Sequence, residues 1–161
     1  LLLAEAHLRV VVDTSSLIRA ALNAGLVASQ LIETLTSAGG TSQLVASADI
    51  LDELARVRDR PKFASRLSDQ QRRRLLLDAQ AAAFFVSPAE RIGACRDPAD
   101  NIILEAALAA MEPAVQVVVI VSDDRDLLPL DPWHGIRVAK PEAVLVTLGA
   151  SEAGRDRGGP R

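Results

Sequence analysis

The chain has 161 residues, of which 49% are apolar, and a net charge of −3. That is long enough for one domain with a real core and too apolar for a disordered chain. The charge alone indicates no nucleic-acid partner. One cysteine, Cys95, excludes an internal disulfide or a multi-thiolate zinc cluster, and two histidines argue against a His-rich zinc site.

Taken in order, the elements alternate. LLLAEAH has no basic n-region and reads as a fraying end. LRVVV (8–12) is a short β-branched run, as expected of a strand buried on both faces. SSLIRAAL follows as a helix, with Ser15 or Ser16 as its N-cap. After Asn23 and Gly25, VASQLIETLTSA predicts a second helix, stopped by Gly39 and Gly40. SQLVAS (42–47) is a strand, and SADILDELARVRD a helix that ends before Pro61. Residues 68–84 open with Ser68 and Gln71, the S-x-x-Q pattern of a capping box, and predict a helix. FFVS (84–87), VQVVVIV (115–121) and GIRVA (135–139) read as strands. PADNIILEAALAAM (98–111) is a helix, and a short one starts at Pro141. Residues 149–161 are rich in Gly and Arg and read as a disordered tail, leaving one domain over 1–148. No apolar run reaches membrane-spanning length, and the single cysteine fits a reducing, cytoplasmic setting.

Strands separated by helices imply a central parallel sheet of about five strands in a three-layer α/β/α domain. Ligands of such sheets bind beyond the carboxyl ends of the strands. Acidic residues collect there. Asp13 follows the first strand. Ser122, Asp123, Asp124 and Asp126 follow VVVIV. Asp97 and Asp100 lie in RDPADN, and Glu53 lies on the helix after the second strand.

Several of these acids also have purely local uses. Asp13, Asp97, Asp123 and Asp124 can cap turns or helices, and Asp100 suits a helix dipole. Glu53 is harder to explain locally. It flanks the apolar stripe of Ile50, Leu54 and Val57 with no cation beside it, because Asp52 takes Arg56 at i,i+4. An inward carboxylate needs a partner, and a cluster of hard oxygen donors suits Mg²⁺ or Mn²⁺. Residues 56–74 hold eight cations against two acids, a net of +6 that leaves −9 for the rest. Arg58, Arg60 and Lys62 stand next to the acid-bearing helix and could draw in an RNA backbone. Arg72 to Arg74 can instead be the solvated side of a helix.

Together VVVDTSSLIRA, Glu53, RDPADNIILEAALAA and VSDDRDLL resemble the PIN-domain nucleases, over roughly residues 8–148. The form of RDPADN followed by SDDRDLL, with the closing GIRVAKPEAVL, is similar to the branch often classed as toxins of bacterial toxin–antitoxin pairs. The resemblance implies a Mg²⁺- or Mn²⁺-dependent endoribonuclease. Its metal-binding and catalytic acids would be Asp13, Glu53, Asp100 and Asp124, with Asp126 as a supporting ligand or a helix cap and Ser122 in the hydroxyl place. Asp123 departs from the family pattern, which has glycine there. It would either widen the metal site or face solvent. The resemblance also implies a cognate antitoxin and a homodimer. Apolar faces on the helix from Val27 to Leu35 and around Leu67 and Leu75 to Leu77 are the candidate surfaces. Two rivals remain: a non-catalytic module of the same fold that binds RNA or protein, and an aspartate-based phosphotransfer domain.

Overall fold

The computed structural model describes residues 8–23, 27–37, 42–112 and 117–155, with the backbone alone for 150–155. The expected fraying end, Gly25, Gly39, Gly40, Val115, Gln116 and residues 156–161 lie outside the described residues. The strands are β1 (Leu8–Val12), β2 (Ser42–Ala46), β3 (Phe84–Phe85), β4 (Val117–Val121) and β5 (Arg137–Ala139). The helices are α1 (Thr14–Leu22), α2 (Val27–Thr36), α3 (Ala48–Arg58), α4 (Pro61–Ala64), α5 (Asp69–Ala82), α6 (Pro98–Ala109) and α7 (Pro141–Arg155). A 3₁₀ turn covers Leu128–Leu130.

All strands are parallel, in the order β3-β2-β1-β4-β5. Alternation along each strand feeds two cores. Val10, Val12, Leu44, Ala46, Val119 and Val121 pack on the face covered by α1, α2, α5 and α7. Val11, Val45, Val118, Ile120 and Val138 pack on the opposite face, under α6. This is the three-layer α/β/α arrangement expected from the uninterrupted aliphatic runs, since a strand covered on both sides has no polar face to show. Among the described residues, no helix is long and apolar enough to cross a membrane.

The chain walks outward from β1 to β2 and β3, returns under α6, and then lays β4 and β5 on the other side of β1. The order therefore reverses between β1 and β4. A crevice opens at such a switch point, because the connections leaving the two strands diverge to opposite faces.

The helix starts are set by side chains. Ser68 and Gln71 form the expected capping box of α5, with Gln71 N donating to Ser68 Oγ at 3.1 Å and Ser68 N to Gln71 Oε1 at 2.8 Å. Ser47 caps α3, so β2 stops one residue earlier than its aliphatic pattern suggests. Asp97 caps α6 ahead of Pro98. The cap of α1 is Asp13, not Ser15 or Ser16: its Oδ1 accepts from Ser16 N at 2.6 Å. A carboxylate at that place also meets the positive end of the helix.

β3 and β5 are each two residues shorter than expected, and two helices depart further. α4 is a single turn opened by Pro61, too short to show any period. α7 is not short: it continues past Gly149 to Arg155. At the amino edge of the sheet the buried Arg9 donates to Ala110 O at 2.8 Å and stands 3.8 Å over the Phe84 ring. It ties the end of α6 to β1 and β3.

Candidate metal centre

The acids reach the carboxyl edge from separate elements. Asp13 leaves β1, the segment Ser122–Asp126 leaves β4, and Asp100 occupies the first turn of α6. Asp100, Asp124 and Asp126 each offer a carboxylate oxygen, and these atoms lie within 4.8 Å of one another. Asp100 is buried; the other two are exposed, so the group opens to solvent on one side.

Asp13 joins the group through Ser122. The fully buried Ser122 Oγ donates to Asp13 Oδ2 and accepts from Asp124 N at 2.9 Å. One hydroxyl thus spans the switch point and fixes the β1 acid against the β4 loop. Asp124 Oδ1 in turn accepts from Asp126 N at 2.7 Å, which holds the loop in a tight turn.

The electrostatics of this crevice are unfavourable when it holds protein alone. Burial, followed by the negative charges of Asp124, Asp97, Asp126 and Asp13, pushes the Asp100 carboxyl up to about 6. Among the described residues, the ion pair that reaches the three-carboxylate group is a long one, Arg96 Nη2 to Asp126 at 3.8 Å, made by a highly exposed arginine. Carboxylates this close, mostly without internal cations, match the hard-oxygen donor set of Mg²⁺ or Mn²⁺.

Two residues are placed differently from expectation. Asp123 neither joins the group nor faces solvent freely; it pairs with Arg19 of α1 at 2.9 Å. Glu53 is buried on α3, as its place beside the apolar stripe suggests, but it does not lack a cation. Arg56 turns to Glu53 rather than to Asp52, and Arg60 Nη2 lies 3.6 Å from its other oxygen. A buried carboxylate gains more from a guanidinium than an exposed one does, so Glu53 wins the competition for Arg56. Glu53 is not part of the three-carboxylate group.

Of the basic segment, Arg58 is turned inward, donating to Arg72 O beside Asp59, and so is committed to the scaffold. Arg60 and Lys62 remain exposed, with the Lys62 ammonium 4.7 Å from the Phe63 ring.

Other contributors carry little signal in the sequence. Asn101 donates to Cys95 O at 3.0 Å and accepts from Cys95 N at 2.8 Å, pinning the loop that carries Arg96 and Asp97. The buried Glu105 accepts from Ile92 N at 2.9 Å and from Arg91 at 3.0 Å. Arg91 also reaches Asp49 on α3 at 2.7 Å, so one guanidinium ties the helix of Glu53 to the helix of Asp100. Only the position of Asn101 next to Asp100 hints at a role. Burial and then the nearby aspartates, Asp100 foremost, push the Cys95 thiol up, which disfavours the reactive thiolate.

A parallel sheet with carboxylates gathered at its switch point is an α/β arrangement that could hold a hard cation. The family model described as the PIN domain matches residues 9–126, and the chain belongs to that family. PIN domains are typically nucleases that use a divalent metal. Comparisons with curated proteins and with solved structures give no match.

Proposed function

We propose that this protein is a cytoplasmic endoribonuclease dependent on Mg²⁺ or Mn²⁺, and the toxin of a toxin–antitoxin pair. The observation that carries the catalytic reading is the group of Asp100, Asp124 and Asp126 at the switch point, joined to Asp13 through Ser122. Asp13, Glu53, Asp100 and Asp124 would hold the metal, with Asp126 in support. When bound, the ion supplies an acidified water and polarises the phosphodiester.

The protein's own groups do the rest. Ser122 and the Ser16 amide fix both oxygens of Asp13, so its carboxylate keeps one orientation. Asp124 and Asp126, exposed at the mouth, meet solvent and substrate first. Arg60 and Lys62 supply positive charge at the surface for the RNA backbone. In the reaction water adds to phosphorus, a bridging P–O bond breaks, and the departing oxygen leaves as an alcohol.

The test is cleavage of RNA by the purified protein. EDTA should abolish it and added Mg²⁺ or Mn²⁺ restore it. Undiminished cleavage in EDTA would refute the mechanism. Binding without any cleavage in either metal would favour the non-catalytic module.

The same reading includes pairing with a second copy through α2 and α5. Leu31, Leu35 and Leu67 are buried within the chain itself and leave that surface. A groove of about 660 Å³ persists between α1, α2 and α5, lined by Leu17, Ile32 and Leu75, whereas the exposed Leu77 of α5 does not line it. Light scattering at micromolar protein should give a dimer mass. A monomer mass that holds at tenfold higher concentration would remove self-pairing and leave the antitoxin as the partner for this groove.

A further inference from the structure

Glu53 poses a question that the rest of the acids do not. It is as buried as Asp13 and Asp100, yet unlike them it is covered by two guanidinium groups of its own chain. Arg56 comes from the same helix three residues on, and Arg60 from the turn between α3 and α4, so the two approach different oxygens of one carboxylate. Both arginine side chains are mostly exposed, 73% and 60%. They lie over the carboxylate from the solvent side and are not packed in with it.

We propose that Arg56 and Arg60 form a removable guanidinium latch on Glu53, one that a divalent cation must displace to be bound by that carboxylate. The proposal rests on the metal-dependent reading above. Arg56 donates to one oxygen of Glu53 and Arg60 stands 3.6 Å from the other, so both oxygens already face a positive group where a metal would approach. Two positive groups and a divalent ion at one carboxylate also repel. Binding of one therefore excludes the other, and by linkage whatever the latch costs the metal, the metal costs the latch. Without metal the latch does useful work, since an unpaired buried carboxylate is strongly destabilising. Because the guanidiniums sit in solvent on long flexible stems, letting go leaves no charge buried and no cavity behind.

A thermodynamic cycle read by isothermal titration with Mn²⁺ tests this. The four proteins are the wild type, the Arg56→Gln/Arg60→Gln double variant, Glu53→Gln, and the triple combination. The double variant should bind Mn²⁺ roughly 5- to 10-fold more tightly than wild type, the lower range of ordinary coupling between sites. The triple combination should bind no more tightly than Glu53→Gln alone, because the arginines act through Glu53. Without metal the double variant should melt below wild type and gain more from Mn²⁺.

Equal tightening with and without Glu53 would overturn the latch, since general removal of positive charge would then explain it. No tightening in the double variant would overturn it as well. No Mn²⁺ binding by any of the proteins would overturn both the latch and the metal-centre reading, which separates the two failures. If the double variant does not fold, Arg60→Gln alone removes the outer contact and should show a smaller tightening of the same sign.

Discussion

Asp13→Asn should lower RNA cleavage by on the order of 100-fold or more while leaving the protein folded. Asparagine caps a helix as well as aspartate does, so the Ser16 amide keeps its acceptor and α1 its start. What is lost is the charge and the second oxygen, where Ser122 now donates. An amide there offers hydrogens, so the Ser122 hydroxyl must give up its present acceptor. That is a local cost and not a loss of the core. Circular dichroism and melting should resemble wild type, and cleavage in Mg²⁺ or Mn²⁺ should collapse. A variant that cleaves at the wild-type rate would remove Asp13 from the chemistry.

Asp100→Asn should stabilise the metal-free protein at neutral pH. The Asp100 carboxyl is pushed up to about 6 by burial and by the Asp124, Asp97, Asp126 and Asp13 charges. In an unfolded chain it would titrate near 3.9. Between these values the folded state binds more protons than the unfolded one, so this group makes stability fall as pH rises. The penalty is absent below about 4, grows through 6, and is constant above. The asparagine variant never incurs it. At pH 7.5 in EDTA its gain should be on the order of 1 kcal/mol, after allowance for solvent screening at the rim, or about 2–4 °C in melting temperature. At pH 4 the gain should vanish. In excess Mn²⁺ the order should invert, because only the wild type keeps the full donor set. Melting curves at two pH values with and without metal decide it. A variant less stable than wild type at pH 7.5 in EDTA would contradict the account.

The sheet and its main helices were legible because their sequences leave few choices. Runs such as VVVIV are β-branched and too short for a helix, and Ser68 with Gln71 or Asp97 with Pro98 announce a helix start. The carboxyl-edge placement of Asp13 and Asp124 followed from strand direction alone. Pairing was less legible. Arg56 stands four residues after Asp52 and three after Glu53, and both spacings bring side chains together on a helix. Only burial of Glu53 decides between them, and burial belongs to the tertiary fold. Asp123 is a similar case, since Arg19 lies on another element and nothing local announces it. The loop between β3 and α6 has no periodicity. Its shape comes from Asn101 and Glu105 reaching back from a helix not yet formed when the loop is read in order.

The β1–β4 junction sets when the acidic group can be complete. Asp13 and Ser122 are 109 residues apart in sequence and meet only across the two strands. A growing chain that has already made Asp13, Glu53 and Asp100 still lacks the hydroxyl that orients the first and the two carboxylates that face the last. Pairing at such separation is late and slow to form, since the intervening chain must be closed before any contact rewards it. The full acidic group is therefore withheld by topology until β4 and the loop after it are made. A truncated product that ends before residue 117 carries Asp13, Glu53 and Asp100 but lacks Ser122, Asp124 and Asp126.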